Sequence, residues 1–376
     1  MLNMISRSRH RLRRSGSHIA GCVLSAAALI CLVISPAGAR EPWYPVQVEV
    51  WDPPFNLERQ RADREYVPLD RAAQPWRICL LIPHLKDAYW LAVNFAIVDE
   101  ARRLGVAVAV FSAGGYDRLD RQRQQMDECL AQNPDGILLS AVSSDGLNDL
   151  IEDTVEHGIP VIDLINGVSS PQISARVGAD FWDMGHAVGD YLNQLQAQRG
   201  TPVRIAWFPG PAGAGWVEAS DSGLRDAIDG HAVQVVTSLN GDTGRSAQRA
   251  LVEAVLNQAE TQVDFIVGTA VTAEASVTLI RARGLKNSMG VLADYYSPAV
   301  HRAIRRGEII AAPSDLPALQ TRIALDVMVR ILENREYFQH VGASVQMIDR
   351  EKLATWDASS SLPPRGFRPV FNVAWQ

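Results

Sequence analysis

From Trp76 onward the chain repeats one unit: a short apolar run, a segment with helical spacing, then a polar break. The run 77–82, Arg-Ile-Cys-Leu-Leu-Ile, has no polar alternation, as expected of a strand covered on both faces. Residues 89–104 follow with Trp90, Val93, Ile97 and Leu104 on one stripe, and Gly105 stops them. The pairing recurs as strand 106–111 with helix 119–131, and as strand 136–139 with helix 147–157. Strand 161–164 follows. Strands alternating with helices at this spacing predict a parallel, doubly wound α/β sheet.

The alternation then restarts. Helices are predicted over 182–195, 216–228, 247–258, 273–283 and 298–306, with strands at 203–208, 233–237, 265–267, 290–293 and 309–312. A single sheet of so many strands is unusual, and two similar sheets are the simpler solution. The amphipathic segment 316–332 has no strand on either side and is expected to return to the first lobe. The predicted organisation is lobe 1 over 76–180 and 313–342, lobe 2 over 181–312 and 343–350, and a tail over 351–376. Residues 40–75, rich in Pro, Trp and charge, read as an extended arm with one strand over 46–51.

The N-terminus reads as a secretory signal peptide over 1–39. Arg7, Arg9, Arg11, Arg13 and Arg14 form a basic head, 19–34 is apolar, and Pro36-Ala-Gly-Ala39 carries the small-residue cleavage pattern. The apolar run is shorter than the roughly 20 residues of a membrane span. The expected location is the periplasm. The formal charge of −6 becomes more negative once the arginine block leaves. With no basic patch, nucleic acid and anionic membrane are poor partners for such a surface. Cys22 and Cys31 leave with the signal. Cys79 and Cys129 remain, either paired in an oxidising compartment or buried as free thiols.

Enzyme signatures are absent: no H-E-x-x-H, G-x-S-x-G, Walker loop or C-x-x-C occurs. The eight histidines have no metal-ligand spacing, so neither metal nor cofactor is expected. Aromatic residues instead gather where ligands meet parallel sheets, in loops beyond the carboxyl ends of strands. The first such loop holds Lys86, Asp87, Tyr89 and Trp90, and the second Tyr116. Later loops hold Phe181 with Trp182, then Trp216, then Asp294, Tyr295 and Tyr296. In a chain only 7% aromatic, that placement predicts a shared pocket. Ring faces around it would hold a methylated ammonium, each contact contributing roughly 0.5–2 kcal/mol. Asp87 or Asp294 would add negative field, and Lys86 or a tyrosine hydroxyl would meet an N-oxide oxygen.

The stretch 76–95 with its Lys86-Asp-Ala-Tyr89-Trp90 run resembles the TorT-like periplasmic binding proteins, which detect trimethylamine N-oxide for a respiratory two-component system. The likeness continues through Glu100-Ala-Arg-Arg-Leu-Gly105, Ala113-Gly-Gly-Tyr116, Pro209-Gly-Pro211, Val267-Gly-Thr-Ala270, Ala273-Glu-Ala275 and the tail Gly366-Phe-Arg-Pro-Val370. The parent group is the ribose-binding-protein-like class of type I periplasmic binding proteins. The resemblance implies two doubly wound lobes joined by a multi-strand hinge, and a non-enzymatic function. It implies a ligand cage of Tyr89, Trp90, Tyr116, Trp182 and Tyr295 with Asp87 beside it. It also implies a Cys79–Cys129 disulfide, and the periplasmic domain of a membrane sensor histidine kinase as partner. An aromatic at Tyr295, where sugar binders usually hold Asp, argues against a sugar. Asp294, Tyr296 and Trp216 depart from the pattern and leave room for a larger methylated amine. The alternative role is the solute receptor of an ABC importer for a methylated amine, betaine or sugar.

Overall fold

The computed structural model describes residues 45–56, 58–258 and 262–374; the expected signal peptide lies outside the described residues. The described chain opens with a hairpin, β1 (Val46–Trp51) and β2 (Arg61–Tyr66), antiparallel from Val46↔Tyr66 to Trp51↔Arg61. The segment read as an arm is therefore built into a sheet. β2, Arg-Ala-Asp-Arg-Glu-Tyr, is hidden in the sequence because it is an edge strand, and charge on an edge blocks further pairing.

The first lobe follows as β3 (Arg77–Ile82), α1 (Ala88–Leu104), β4 (Ala107–Ser112), α2 (Leu119–Leu130), β5 (Gly136–Leu139), α3 (Asn148–Glu156), β6 (Val161–Leu164) and β7 (Ala175–Val177). β3 runs parallel between β4 and β5, and residues 78–82 are all buried. Asp87 caps α1 by accepting from the Tyr89 N–H, and Gly105 ends it at φ 79°. Cys79 of β3 and Cys129 of α2 form a disulfide with S–S 2.10 Å.

The second lobe comprises α4 (Phe181–Arg199), β8 (Val203–Phe208), α5 (Gly215–Ile228), β9 (Val233–Ser238), α6 (Arg245–Leu256), β10 (Phe265–Gly268), α7 (Ala270–Ala282), β11 (Gly290–Ala293) and α8 (Pro298–Arg305). Its sheet is parallel, in the order β11-β10-β8-β9. α4 and α5 cross backbone to backbone at glycines. A Cβ on Gly185 would stand 1.8 Å from the Ser220 carbonyl oxygen, and one on Gly223 1.9 Å from that of Trp182.

The remaining elements join the lobes: β12 (Ala311–Ser314), α9 (Pro317–Leu332), β13 (His340–Gly342), β14 (Gln346–Asp349) and β15 (Asn372–Val373). β12 pairs antiparallel with β14, close to β11. Between them the chain visits the first lobe, where α9 packs on α1 and β13 pairs with β7. The tail returns as β15 on β4. The first sheet thus reads β15-β4-β3-β5-β6-β7-β13-β1-β2. The chain crosses between lobes after β7, β12 and β13, which makes those connections the hinge, and the tail after β14 crosses back once more.

Candidate ligand-binding site

The carboxyl ends of both sheets face a common cleft. From the first lobe come Asp87, Tyr89 and Trp90 on the turn into α1, Tyr116 beyond β4, and Asn166 beyond β6. From the second come Phe181 and Trp216 at the starts of α4 and α5, Thr243 beyond β9, and Tyr295 beyond β11. Together they surround a small void of ≈ 30 Å³. That is room for about one or two waters, far below the roughly 300–1,000 Å³ of open ligand pockets, so a ligand enters only as the rings or the lobes move apart.

The rings form a continuous wall. Tyr89 meets Trp90 at 5.3 Å and Tyr295 at 5.7 Å between centroids, both edge to face. Trp216 meets Tyr116 at 6.0 Å, Phe181 at 5.9 Å and Tyr295 at 6.4 Å. Tyr89, Trp90, Trp216 and Tyr295 are all buried.

Polar groups are tied to one another across the lobes. The Tyr295 hydroxyl donates to Asp87, whose other oxygen accepts from the Tyr89 N–H at 3.0 Å. The Tyr89 hydroxyl donates to Asp315 at 2.5 Å, and Asn166 Nδ2 donates to the Tyr116 hydroxyl at 3.1 Å. Burial raises the Asp87 carboxyl, opposed by hydrogen bonds from Tyr295 and the backbone. Burial likewise pushes Asp315 up to about 6. At the rim, Lys86 pairs with Asp242 at 3.1 Å and His84 bonds Thr243 at 2.9 Å, so the two lobes are in contact. Burial, then the charge of Lys86, lowers His84 to about 4.

An aromatic box with one carboxylate in its wall can hold a methylated or protonated amine through cation–π attraction and negative field. Among the described residues no cluster of His, Cys, Asp or Glu is placed to hold a metal ion.

Residues 78–336 match the periplasmic binding protein domain family. The chain belongs to that family.

Among its relatives is the periplasmic protein TorT of Escherichia coli K12, 34% identical over 301 residues, which span 80% of this chain and 86% of TorT. An ABC transporter solute binding protein from Bradyrhizobium sp. BTAi1, solved with bound Bis-Tris, is 45% identical. It superposes with a TM-score of 0.78, covering 89% of this chain and 100% of that one. TorT in complex with the TorS sensor domain, solved in the presence of TMAO, superposes with a TM-score of 0.71 at 29% identity, covering 79% of this chain and 99% of that one. As a family member the chain is a periplasmic protein of a ligand-binding class. Among the described residues no helix is long and apolar enough to cross a membrane.

Against this family frame the sequence-predicted residues sort clearly. Asp87, Tyr89, Trp90, Tyr116, Trp216 and Tyr295 line the void. Trp182 does not. Asp180 caps α4 by accepting from the Trp182 N–H, so Phe181 begins the helix facing the void and Trp182, about 100° further round, turns outward. There its Nε1 donates to Asp226 at 2.7 Å and the Arg59 guanidinium lies 4.5 Å from its ring centre. Lys86 is spent on Asp242 at the rim. Tyr296 packs away from the void, bonded to His301 and edge-on to Trp356. Asp294 is buried behind the wall, and neither carboxylate oxygen has a partner among the described residues. Burial pushes its carboxyl well above the usual range, and the charge of Asp87 adds to this. Asn166 and Thr243 were missed. They stand just beyond the ends of β6 and β9, so the strand-end rule locates them once neutral polar residues are considered with the aromatics.

Proposed function

We propose that this chain detects trimethylamine N-oxide or a related methylated amine in the periplasm and signals to the periplasmic domain of a sensor histidine kinase. The observation that carries the reading is the wall shared between lobes: Tyr89, Trp90 and Tyr116 on one side meet Trp216 and Tyr295 on the other around a single small void. The identity with TorT and the solved TorS–TorT complexes support the choice of ligand and partner. Contacts to both lobes exist only when the cleft is shut, so ligand shifts the population toward the closed form. A sensor docked outside reads that shift. The role has no catalytic step. Asp87, Tyr89, Trp90, Tyr116 and Tyr295, with Trp216, are the residues assigned to the ligand.

The 45% identical solute binding protein carries Bis-Tris, a hydroxylated tertiary amine, and favours a second reading as the receptor of an ABC importer. Both readings place an amine in the same chamber. Calorimetry of the mature protein with trimethylamine N-oxide, together with co-purification against the cognate sensor domain, tests the proposal. Amine binding with no sensor-domain complex leaves the importer reading, and no amine binding at all overturns both.

A further inference from the structure

Asn166, Phe181 and Trp216 line two spaces at once. One is the ring-walled chamber; the other is a wider cleft of ≈ 320 Å³, bounded by Trp51, Phe55 and Arg59 of the hairpin segment and by Ser144, Ser169 and Ala219 of the lobes. Trp216 stands at the partition with only 6% of its surface exposed, and its indole Nε1 has no hydrogen-bond partner among the described residues. The N–H lies near enough to the Tyr116 hydroxyl to favour that phenol's ionisation, yet no hydrogen bond forms. A buried N–H without an acceptor is unfavourable, so this one calls for an acceptor from outside the protein. The chamber's own hydroxyl donors are already engaged, Tyr89 on Asp315 and Tyr295 on Asp87.

The cleft's chemistry narrows what that acceptor belongs to. Its arginines are already neutralised, Arg59 by Asp180 at 2.9 Å and Arg176 by Asp163 at 2.6 Å, so a carboxylate finds little unspent positive charge there. The serine hydroxyls, the Asn56 and Asn166 amides and the aromatic faces suit an uncharged hydroxylated chain.

We propose that the site is bipartite and selects an amine bearing a hydroxylated arm. The methylated head occupies the chamber once its rings move apart, the first arm oxygen accepts from Trp216 Nε1, and the arm extends into the cleft beside Ser144 and Ser169. This rests on the reading of the chamber as an amine site.

The test compares tetramethylammonium, trimethylamine N-oxide and choline by calorimetry on the mature protein. Tetramethylammonium and choline share charge and head and differ in the arm. Choline is expected to bind about tenfold tighter. Ala219 lines the cleft and not the chamber. Ala219→Phe should therefore erase the choline preference while trimethylamine N-oxide affinity stays within about twofold. Trp216→Phe, which keeps a ring but removes the N–H, should cut the preference by about three- to tenfold. Equal binding of choline and tetramethylammonium by the unaltered protein overturns the proposal, as does a preference that survives Ala219→Phe. Failure of all three ligands to bind overturns the amine reading itself, and this inference with it.

Discussion

Arg61 of the hairpin places Nη2 2.5 Å from Asp183 Oδ2 on α4, which joins an element of the first sheet to the first helix of the second lobe. Its Nε lies 3.1 Å from Glu49 on β1. Two residues earlier Arg59 reaches Asp180 at 2.9 Å and covers the Trp182 ring. The family match begins at residue 78, so this clasp lies on a segment added before the shared domain. Because it links the two lobes, the clasp supports the arrangement in which they are in contact.

Removing Arg61 should therefore act on both folding and closure. The carboxyls of Glu49 and Asp183 are already raised by burial and held down by Arg61. Without it, among the described residues, Glu49 keeps only a hydrogen bond with Ser344, and Asp183 only the charge of Arg59. Arg61→Ala is expected to cost about 1.5–3 kcal/mol in urea denaturation, the scale of a charge-assisted hydrogen bond rather than of an exposed ion pair. Ligand affinity should fall alongside, because the closed form loses support. Unchanged stability and affinity would remove the clasp from the account.

Two tryptophans separate the observed lining of the void from the expected cage. Trp216 touches Tyr116, Phe181 and Tyr295, whereas Trp182 faces Arg59 and Asp226 outside. Trp216→Ala should weaken trimethylamine N-oxide binding about 2- to 30-fold, the range of one lost cation–π face. Trp182→Ala should change it less than about twofold. Calorimetry giving the reverse order would place the ligand elsewhere.

The contrast shows where sequence reasoning reaches. The parallel strands were legible because 77–82 and 136–139 are unbroken apolar runs, and burial on both faces produces that pattern. The lining of the void was legible through Tyr89, Trp90, Tyr116 and Tyr295, which follow strand ends that the periodicity already located. Trp182 was not, because one helical step decides whether a residue faces the cleft, and that step depends on where Asp180 starts the helix. β7, β13 and β15 are two or three residues long, too short for any period to show. β2 was masked by its edge charge. Asn166 and Thr243 carry no signal of their own and become visible only by position.

Two buried histidines should each weaken the fold as the pH falls, against buried carboxyls such as Asp87, Asp294 and Asp315 whose raised values act the other way. Burial lowers His84 to about 4 and His340 to about 3, from an ordinary value of 6.5. Above pH 6.5 neither folded nor unfolded chain binds these protons. As pH falls from 6.5 toward 4, the unfolded chain takes them up and the folded chain refuses, so stability drops. Asp315 acts in the opposite sense: its folded carboxyl is protonated from about 6 and its unfolded one only near 3.8, so stability is gained over that window. Relative to the unaltered protein, His340→Gln should shift the balance toward stability in acid and Asp315→Asn should shift it away. Urea midpoints at several pH values between 7 and 4 measure both. A His340→Gln profile parallel to that of the unaltered protein would show that this histidine does not contribute.

The disulfide should matter more to folding than to recognition. Cys79 lies in β3, flanked by β4 and β5, and Cys129 lies in α2; both are fully buried, and they are separated by 50 positions. Closing a loop of that length removes unfolded-state freedom equivalent to about 4 kcal/mol on the chain-entropy account. Asp87, Tyr89, Trp90 and Tyr116 all lie inside the loop, yet in the folded chain they are held by the Asp87 cap, the Tyr89–Asp315 bond and the Tyr116–Asn166 bond, none of which involves the cysteines. The double variant Cys79→Ala with Cys129→Ala is therefore expected to lose about 2–5 kcal/mol of stability. At a temperature where it remains folded, its affinity for trimethylamine N-oxide should stay within about threefold of the unaltered protein. A collapse in affinity with little change in stability would mean that the bond orders the chamber directly and does not act through the unfolded state.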